Sequence, residues 1–145
     1  MGAIRIIEMD HIVLNVADVD RSLDFYSGVL GLKAERVAEF KAGAPGVGFC
    51  SVRLNPHTLI DLFPLKAGEE IALAHSSKIP GKVRGNLEHF CFVVDKDNFE
   101  ESIGVLNERG IAIHTGPISR WGARGAALSV YFLDPDGNEV EIRAY

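Results

Sequence analysis

The fold is decided by two short stretches, MDHIVLNV at residues 9–16 and LEHFCFVV at residues 87–94. Each sets an acid and a histidine directly before an apolar, β-prone run, and each reads as a strand. His11 and His89 stand 78 positions apart. Working outward, both runs are followed by an acidic cluster suited to a helix start, Asp18 with Asp20 and Asp95 with Asp97. Amphipathic segments come next, with apolar positions at Val19, Leu23, Tyr26 and Leu30 in the first and at Phe99, Ile103 and Leu106 in the second. Gly31 and Gly110, 79 apart, are placed to end these helices in a left-handed cap.

The correspondence continues. Leu54-Asn55-Pro56 and Leu133-Asp134-Pro135-Asp136-Gly137 are proline turns between apolar β-runs, their prolines again 79 apart. The return strands carry one matching acid each, Asp61 in LIDLF and Glu141 in VEIRAY, 80 apart. Separations of 78, 79, 79 and 80 at four landmarks mark an internal duplication. Each half reads β-α-β-β-β and is too short to be comfortably stable alone. The expected architecture is α+β, two tandem βαβββ modules. Module 1 spans about 5–64, a linker 65–86, and module 2 87–145, together one domain over 1–145. The stretch GPISRWGARG, 116–125, reads as an irregular, binding-type loop.

Composition bounds the function. The 145 residues are 47% hydrophobic and 24% charged, an ordinary globular balance. A net charge of −5 argues against a polyanionic partner, so no nucleic acid is expected. No apolar run approaches the roughly 20 residues that span a bilayer. The amino end, MGAIRIIEMD, has neither a basic n-region nor a long apolar stretch, so no membrane association and a cytoplasmic location are expected. Cys50 and Cys91, both in apolar surroundings, suit a reducing compartment and supply no CxxC knuckle. Cys91 shares a strand face with His89 and either lines a site or serves as a small buried hydrophobe.

Asp61 lies in an apolar run, where an ionised carboxylate must be paired, neutralised or metal-bound. Strand LEHFCFVV, apolar on both faces beyond its histidine, is expected to be covered on both sides. Glu141 shares its face with Glu139 and Arg143 and by itself reads as part of a solvated edge. Duplication changes the weighting: it sets His11 with His89 and Asp61 with Glu141 at symmetry-related positions. Two imidazoles and one or two carboxylates form a divalent-metal donor set. His57, His75 and His114 are expected at the surface.

These residues resemble the vicinal oxygen chelate superfamily, the glyoxalase, bleomycin-resistance and dioxygenase group, and its small single-domain glyoxalase-like members. The likeness is carried by DHIVLNVADVDRSLDFYSGVLGLKAERV, GPISRWGARG and SVYFLDPDGNEVEIRAY. It implies a curled, cup-shaped mixed sheet with helices outside, one divalent metal per site (Zn, Fe, Ni, Mn or Co), held by His11, His89, Glu141 and Asp61, and a homodimer acting on a small molecule. The superfamily's glyoxalases generally carry Glu, Gln or His where this chain has the shorter Asp61, leaving that residue as fourth ligand, base or a group behind the ligands. Glu141 and Asp61 are the expected catalytic groups. Ser129 and Tyr131 resemble an oxyanion-binding S-x-Y of the fosfomycin-modifying branch, while Arg120, Arg124 and Trp121 are candidates to anchor an anion and wall a pocket. The expected activity is a metal-dependent lyase or isomerase. The alternatives are an extradiol-type dioxygenase using Fe(II) or Mn(II), a fosfomycin-resistance-type enzyme, and a non-enzymatic drug-binding protein of the bleomycin-resistance kind.

Overall fold

The structure is a computed structural model that describes residues 5, 7–69, 79–83 and 87–145. It divides into two compact units, Met1–Glu69 and Glu70–Tyr145. Among the described residues no helix is long and apolar enough to cross a membrane.

In the first unit, β1 (His11–Val16) leads into α1 (Val19–Leu23), which widens into a π-helical turn over Asp24–Val29. The Asp18 carboxylate caps α1 by accepting from the Arg21 backbone N–H at 3.0 Å. Gly31, at φ 73°, closes the segment in the left-handed region that favours glycine. β2 (Lys33–Glu35), α2 (Val37–Lys41), β3 (Cys50–Asn55) and β4 (Thr58–Pro64) follow. The sheet order is β1-β4-β3-β2, with β1 parallel to β4 and the other pairs antiparallel. Alternation sorts the side chains. Leu14, Val16, Val52, Ile60 and Leu62 are buried, as are Phe25 and Tyr26 of the helical segment, and α1 packs on β4. The other face carries His11, Val13 and Asn15 of β1 and Leu59, Asp61 and Phe63 of β4.

The second unit repeats the plan. β5 (Phe90–Val93) is followed by a 3₁₀ turn (Lys96–Asn98), α3 (Phe99–Glu108), β6 (Ile113–Gly122), β7 (Gly125–Leu133) and β8 (Glu139–Ala144). The order is β5-β8-β7-β6, with β5 parallel to β8. Val130, Phe132, Val140 and Ile142 form the core with Phe99 and Leu106 of α3, each such side chain worth about 1.5–3 kcal/mol on full burial. Both halves are βαβββ, and the architecture is α+β.

Three expectations are corrected. The stretch 116–125 is not an irregular loop: it is most of β6 and the turn into β7, and ladder bonds to β7 hold it as an edge strand that has no continuous apolar face to announce it. β8 is not a solvated edge. It lies between β5 and β7, so Glu139, Glu141 and Arg143 are buried. β5 is not covered on both faces, since Cys91 and Val93 are exposed. The helix α2 was not legible, being a single short turn. In the expected linker, Val83 donates to the Gly137 carbonyl at 2.8 Å, fastening Ile79–Val83 to the β7–β8 turn. His75 lies outside the described residues.

Candidate functional site

Each unit brings one imidazole to one buried carboxylate. In the first, parallel pairing sets Val13 opposite Asp61, so His11 and Asp61 share a face two residues apart in register. His11 Nε2 lies 3.9 Å from Asp61 Oδ2. Asp61 is 6% exposed, and its Oδ1 accepts from Ser51 Oγ at 2.6 Å. The charge that the sequence left unexplained is thus met by a hydroxyl, and by the imidazole when its Nε2 also carries a proton. On the far side of the ring, His11 Nδ1 donates to Asp10 Oδ2 at 2.6 Å. An ionised carboxylate only accepts, so the proton sits on Nδ1 and the Nε2 lone pair is turned toward Asp61. The Asp10 hydrogen bond raises the His11 pKa above 6.5, against a partial opposing effect of burial and with further support from Asp61.

In the second unit His89 Nε2 lies 3.2 Å from Glu141 Oε2. Its Nδ1 faces Glu139 Oε1 at 3.7 Å. The duplication places an acid before each histidine, yet the two acids do different work. Asp10 holds His11, whereas Glu88 bonds Lys82 and leaves the His89 Nδ1 side to Glu139. Glu139 Oε1 also accepts from Lys82 Nζ at 3.1 Å, and His114 Nε2 lies 3.1 Å from Oε2 without making a hydrogen bond among the described residues. Sequence reasoning passed over Glu139 and Lys82. The available signal was Glu139's shared face with Glu141, two residues along the same strand. His114 is not at the surface: β6 lays it half-buried against Glu139, and burial lowers its pKa more than the carboxylate restores it.

The surroundings of Glu141 are polar and crowded. Cys91 on β5 and Tyr131 on β7 are its cross-strand partners. Burial, followed by the charge of Glu141, raises the Tyr131 phenol above its ordinary range; desolvation of the sulfur, on a residue otherwise open to solvent, followed by the same charge, pushes the Cys91 thiol up to about 12. Both are protonated at neutral pH. The His89 and Tyr131 rings meet edge to face at 5.5 Å. Ser129, opposite Arg143, is fully buried, and its Oγ has no hydrogen-bond partner among the described residues.

The remaining candidates separate. Arg120 pairs with Ala127, so it shares the face of Ser129, Tyr131 and Glu141. Trp121 pairs with Ala126 on the opposite face and is 84% exposed. Arg124 is engaged with Tyr145: its backbone N–H donates to the phenol oxygen at 3.0 Å and its guanidinium lies 4.9 Å from the ring centre. His57 is exposed and paired with Glu8 at 3.1 Å.

A sequence profile described as the Glyoxalase/Bleomycin resistance protein/Dioxygenase superfamily matches residues 8–142. The chain belongs to this superfamily. It is 32% identical over 137 residues to the glyoxalase domain-containing protein RDO1 of Mycosarcoma maydis, covering 94% of this chain and 68% of that protein. It is 26% identical over 135 residues to the metallothiol transferase FosB of Staphylococcus saprophyticus, covering 92% and 74%. Among solved structures, the integron cassette protein VCH_CASS1 of V. cholerae is similar at 33% identity and a TM-score of 0.72, over 99% of each chain.

The donor chemistry of this superfamily member fits a divalent metal. Each unit supplies an imidazole Nε2 beside a carboxylate oxygen; in the first, the Asp10 hydrogen bond behind the ring is the arrangement that orients and strengthens a histidine ligand, and in the second Glu139 stands 3.7 Å behind the ring. Among the described residues no three His, Cys, Asp or Glu side chains form a group that could hold a metal ion, so each unit supplies a pair of donors.

Proposed function

We propose that this glyoxalase-superfamily chain is a divalent-metal-dependent lyase or isomerase acting on a small substrate that chelates through neighbouring oxygens. The observation that carries this reading is the twice-made pair, His11 with Asp61 and His89 with Glu141, each ring backed by a further carboxylate. His11, His89, Glu141 and Asp61 are the residues that would hold the metal. When bound, the metal supplies a Lewis acid that stabilises negative charge developing on a substrate oxygen.

The chain's own groups do the rest. Asp61 and Glu141 are the candidate bases. Asp61 keeps Oδ1 on Ser51 and Glu141 keeps Oε1 near Arg143 at 3.5 Å, which leaves Oδ2 or Oε2 to take a proton from carbon beside a carbonyl. Tyr131 and Ser129 line the Glu141 face as neutral hydroxyl donors, and Arg120 on that face is suited to an anionic substrate group. Arg124 and Trp121 are the candidates for substrate contact from the hairpin tip, away from the Glu141 face. A homodimer is the proposed assembly.

A second reading, thiol transfer of the kind that the FosB name describes, is favoured by the Ser129 and Tyr131 placement beside Glu141. Elemental analysis of protein purified without a chelating column tests the common premise, with stoichiometric divalent metal expected. His89→Ala should abolish that metal while preserving the fold; unchanged metal content would remove the site. The metal-loaded protein is then assayed with hemithioacetals of 2-oxoaldehydes, and with fosfomycin plus a low-molecular-weight thiol. Turnover of the first set supports the isomerase or lyase reading, and turnover of fosfomycin alone replaces it with the second. Oxygen uptake with catechols would replace both with ring cleavage.

A further inference from the structure

Arg143 is 4% exposed, in the middle of a sheet whose other face is the core. A guanidinium so placed must be both hydrogen-bonded and neutralised. Backbone carbonyls supply the first requirement: Nη2 donates to Arg120 O at 2.8 Å and Gly125 O at 3.2 Å, and Nη1 donates to Trp121 O at 3.0 Å. All three carbonyls belong to the β6–β7 hairpin. The Tyr145 ring covers the guanidinium at 4.9 Å. The second requirement falls to Glu141, whose Oε1 lies 3.5 Å from Nη1.

The side chain gives up something to reach this position. Its buried Nε has no hydrogen-bond partner among the described residues, so the two terminal nitrogens set where it lies. The hairpin is shaped around it as well. A Cβ at Gly122 would fall 2.2 Å from Nη1 and 2.3 Å from Cζ, so a glycine there makes the room.

We propose that Arg143 is a positioning residue that fixes the Glu141 carboxylate from the β6–β7 hairpin, one oxygen held at Arg143 and the other presented toward His89. The inference rests on the reading of Glu141 as metal ligand and base. Because the guanidinium is pinned to backbone, the conformation of the hairpin beside Gly122 is transmitted to Glu141. No single bond in the chain does this: Arg143 and Glu141 lie two residues apart on β8, while the three carbonyls come from the ends of β6 and β7 in the hairpin.

The test is a cycle of Gly122→Ala, Arg143→Met and the double variant in the full chain, read by Co(II) affinity, the visible spectrum of bound Co(II) and the Glu141 carboxyl carbon resonance in metal-free protein. Gly122→Ala should displace the guanidinium, weaken Co(II) binding by about 10- to 100-fold and alter the spectrum, the scale expected for residues behind metal ligands. Arg143→Met should do the same, and adding Gly122→Ala to it should cost no further affinity. Wild-type affinity and spectrum in Arg143→Met, or an equal loss from Gly122→Ala in both backgrounds, would overturn the proposal. If Arg143→Met fails to fold, Arg143→Gln takes its place in the cycle. If the wild-type chain takes up no Co(II), the metal reading falls separately, and the carboxyl resonance decides: moved in both single variants it upholds the positioning role, unmoved it overturns it.

Discussion

His89 Nε2 stands 3.2 Å from Glu141 Oε2, and His11 Nε2 stands 3.9 Å from Asp61 Oδ2. The repeat has therefore kept one relationship twice, a first-strand imidazole against a last-strand carboxylate, while changing what lies behind it. Asp10 backs the first ring through its own neighbour in sequence, and Glu139 backs the second from the adjacent strand. That difference makes the two halves separable by mutation.

Asp10→Asn should affect the first half alone. The Asp10 hydrogen bond is the largest cause of the raised His11 pKa, so an NMR titration of metal-free protein should find the His11 midpoint lower in the variant. A histidine whose folded pKa is raised adds stability that is complete below 6.5 and is lost as pH rises through the folded value. The variant should lose that contribution at low pH and match wild type above the window. An unmoved midpoint would show that Asp10 does not hold the ring.

Ser51→Ala removes the hydroxyl that donates to Asp61 Oδ1 at 2.6 Å in a buried setting. Leaving one oxygen of a buried acceptor unpaired costs about 1–3 kcal/mol, a fall of a few degrees in the thermal midpoint for a chain of this size. Calorimetry of the metal-free variant measures it. Ser51→Thr, which keeps the hydroxyl, should recover part of the loss.

Lys82→Met breaks the buried contact of Nζ with Glu139 and should cost about 3 kcal/mol, the low end for a broken buried pair, because His114 is at hand to protonate in its place. Burial first, and Lys82 among the other causes, depress the His114 pKa. A depressed folded pKa gives stability that is present above 6.5 and lost as pH falls through the folded value. In Lys82→Met the His114 midpoint should rise and that acid-side loss should shrink. Denaturant melts at several pH values, with NMR titration of His114, check both.

Glu35 lies against Arg53, Nη2 to Oε2 at 3.0 Å, and this hydrogen bond lowers the Glu35 pKa below 4.5. The pair should add stability above that value and lose it as pH falls through the folded pKa. Glu35→Gln should flatten the acid limb of the stability profile and leave metal content untouched. A variant with an unchanged acid limb would show that the pair is only a surface contact.

The duplication was legible because local chemistry writes it directly. Asp18 at a helix start, Gly31 and Gly110 in left-handed caps and the proline turns at Pro56 and Pro135 each answer to a few neighbouring residues. The residue types of the candidate site were legible for the same reason, since an acid inside LIDLF demands a partner wherever the strand lies. Burial of β8 was not, because a strand with polar alternate residues looks the same at an edge and at the centre. Only the order β5-β8-β7-β6 turned Glu139, Glu141 and Arg143 inward.

The chain alone thus determined a doubled βαβββ plan, its turns and caps, and the two histidines and two acids worth examining, since these depend on contacts a few residues away. Tertiary structure decided the partners: Ser51 for Asp61, Glu139 for His89, hairpin carbonyls for Arg143, and the opposite faces of Arg120 and Trp121. Those choices turn on strand order and register, which bring together side chains remote in sequence, and a one-residue change in register would exchange every face.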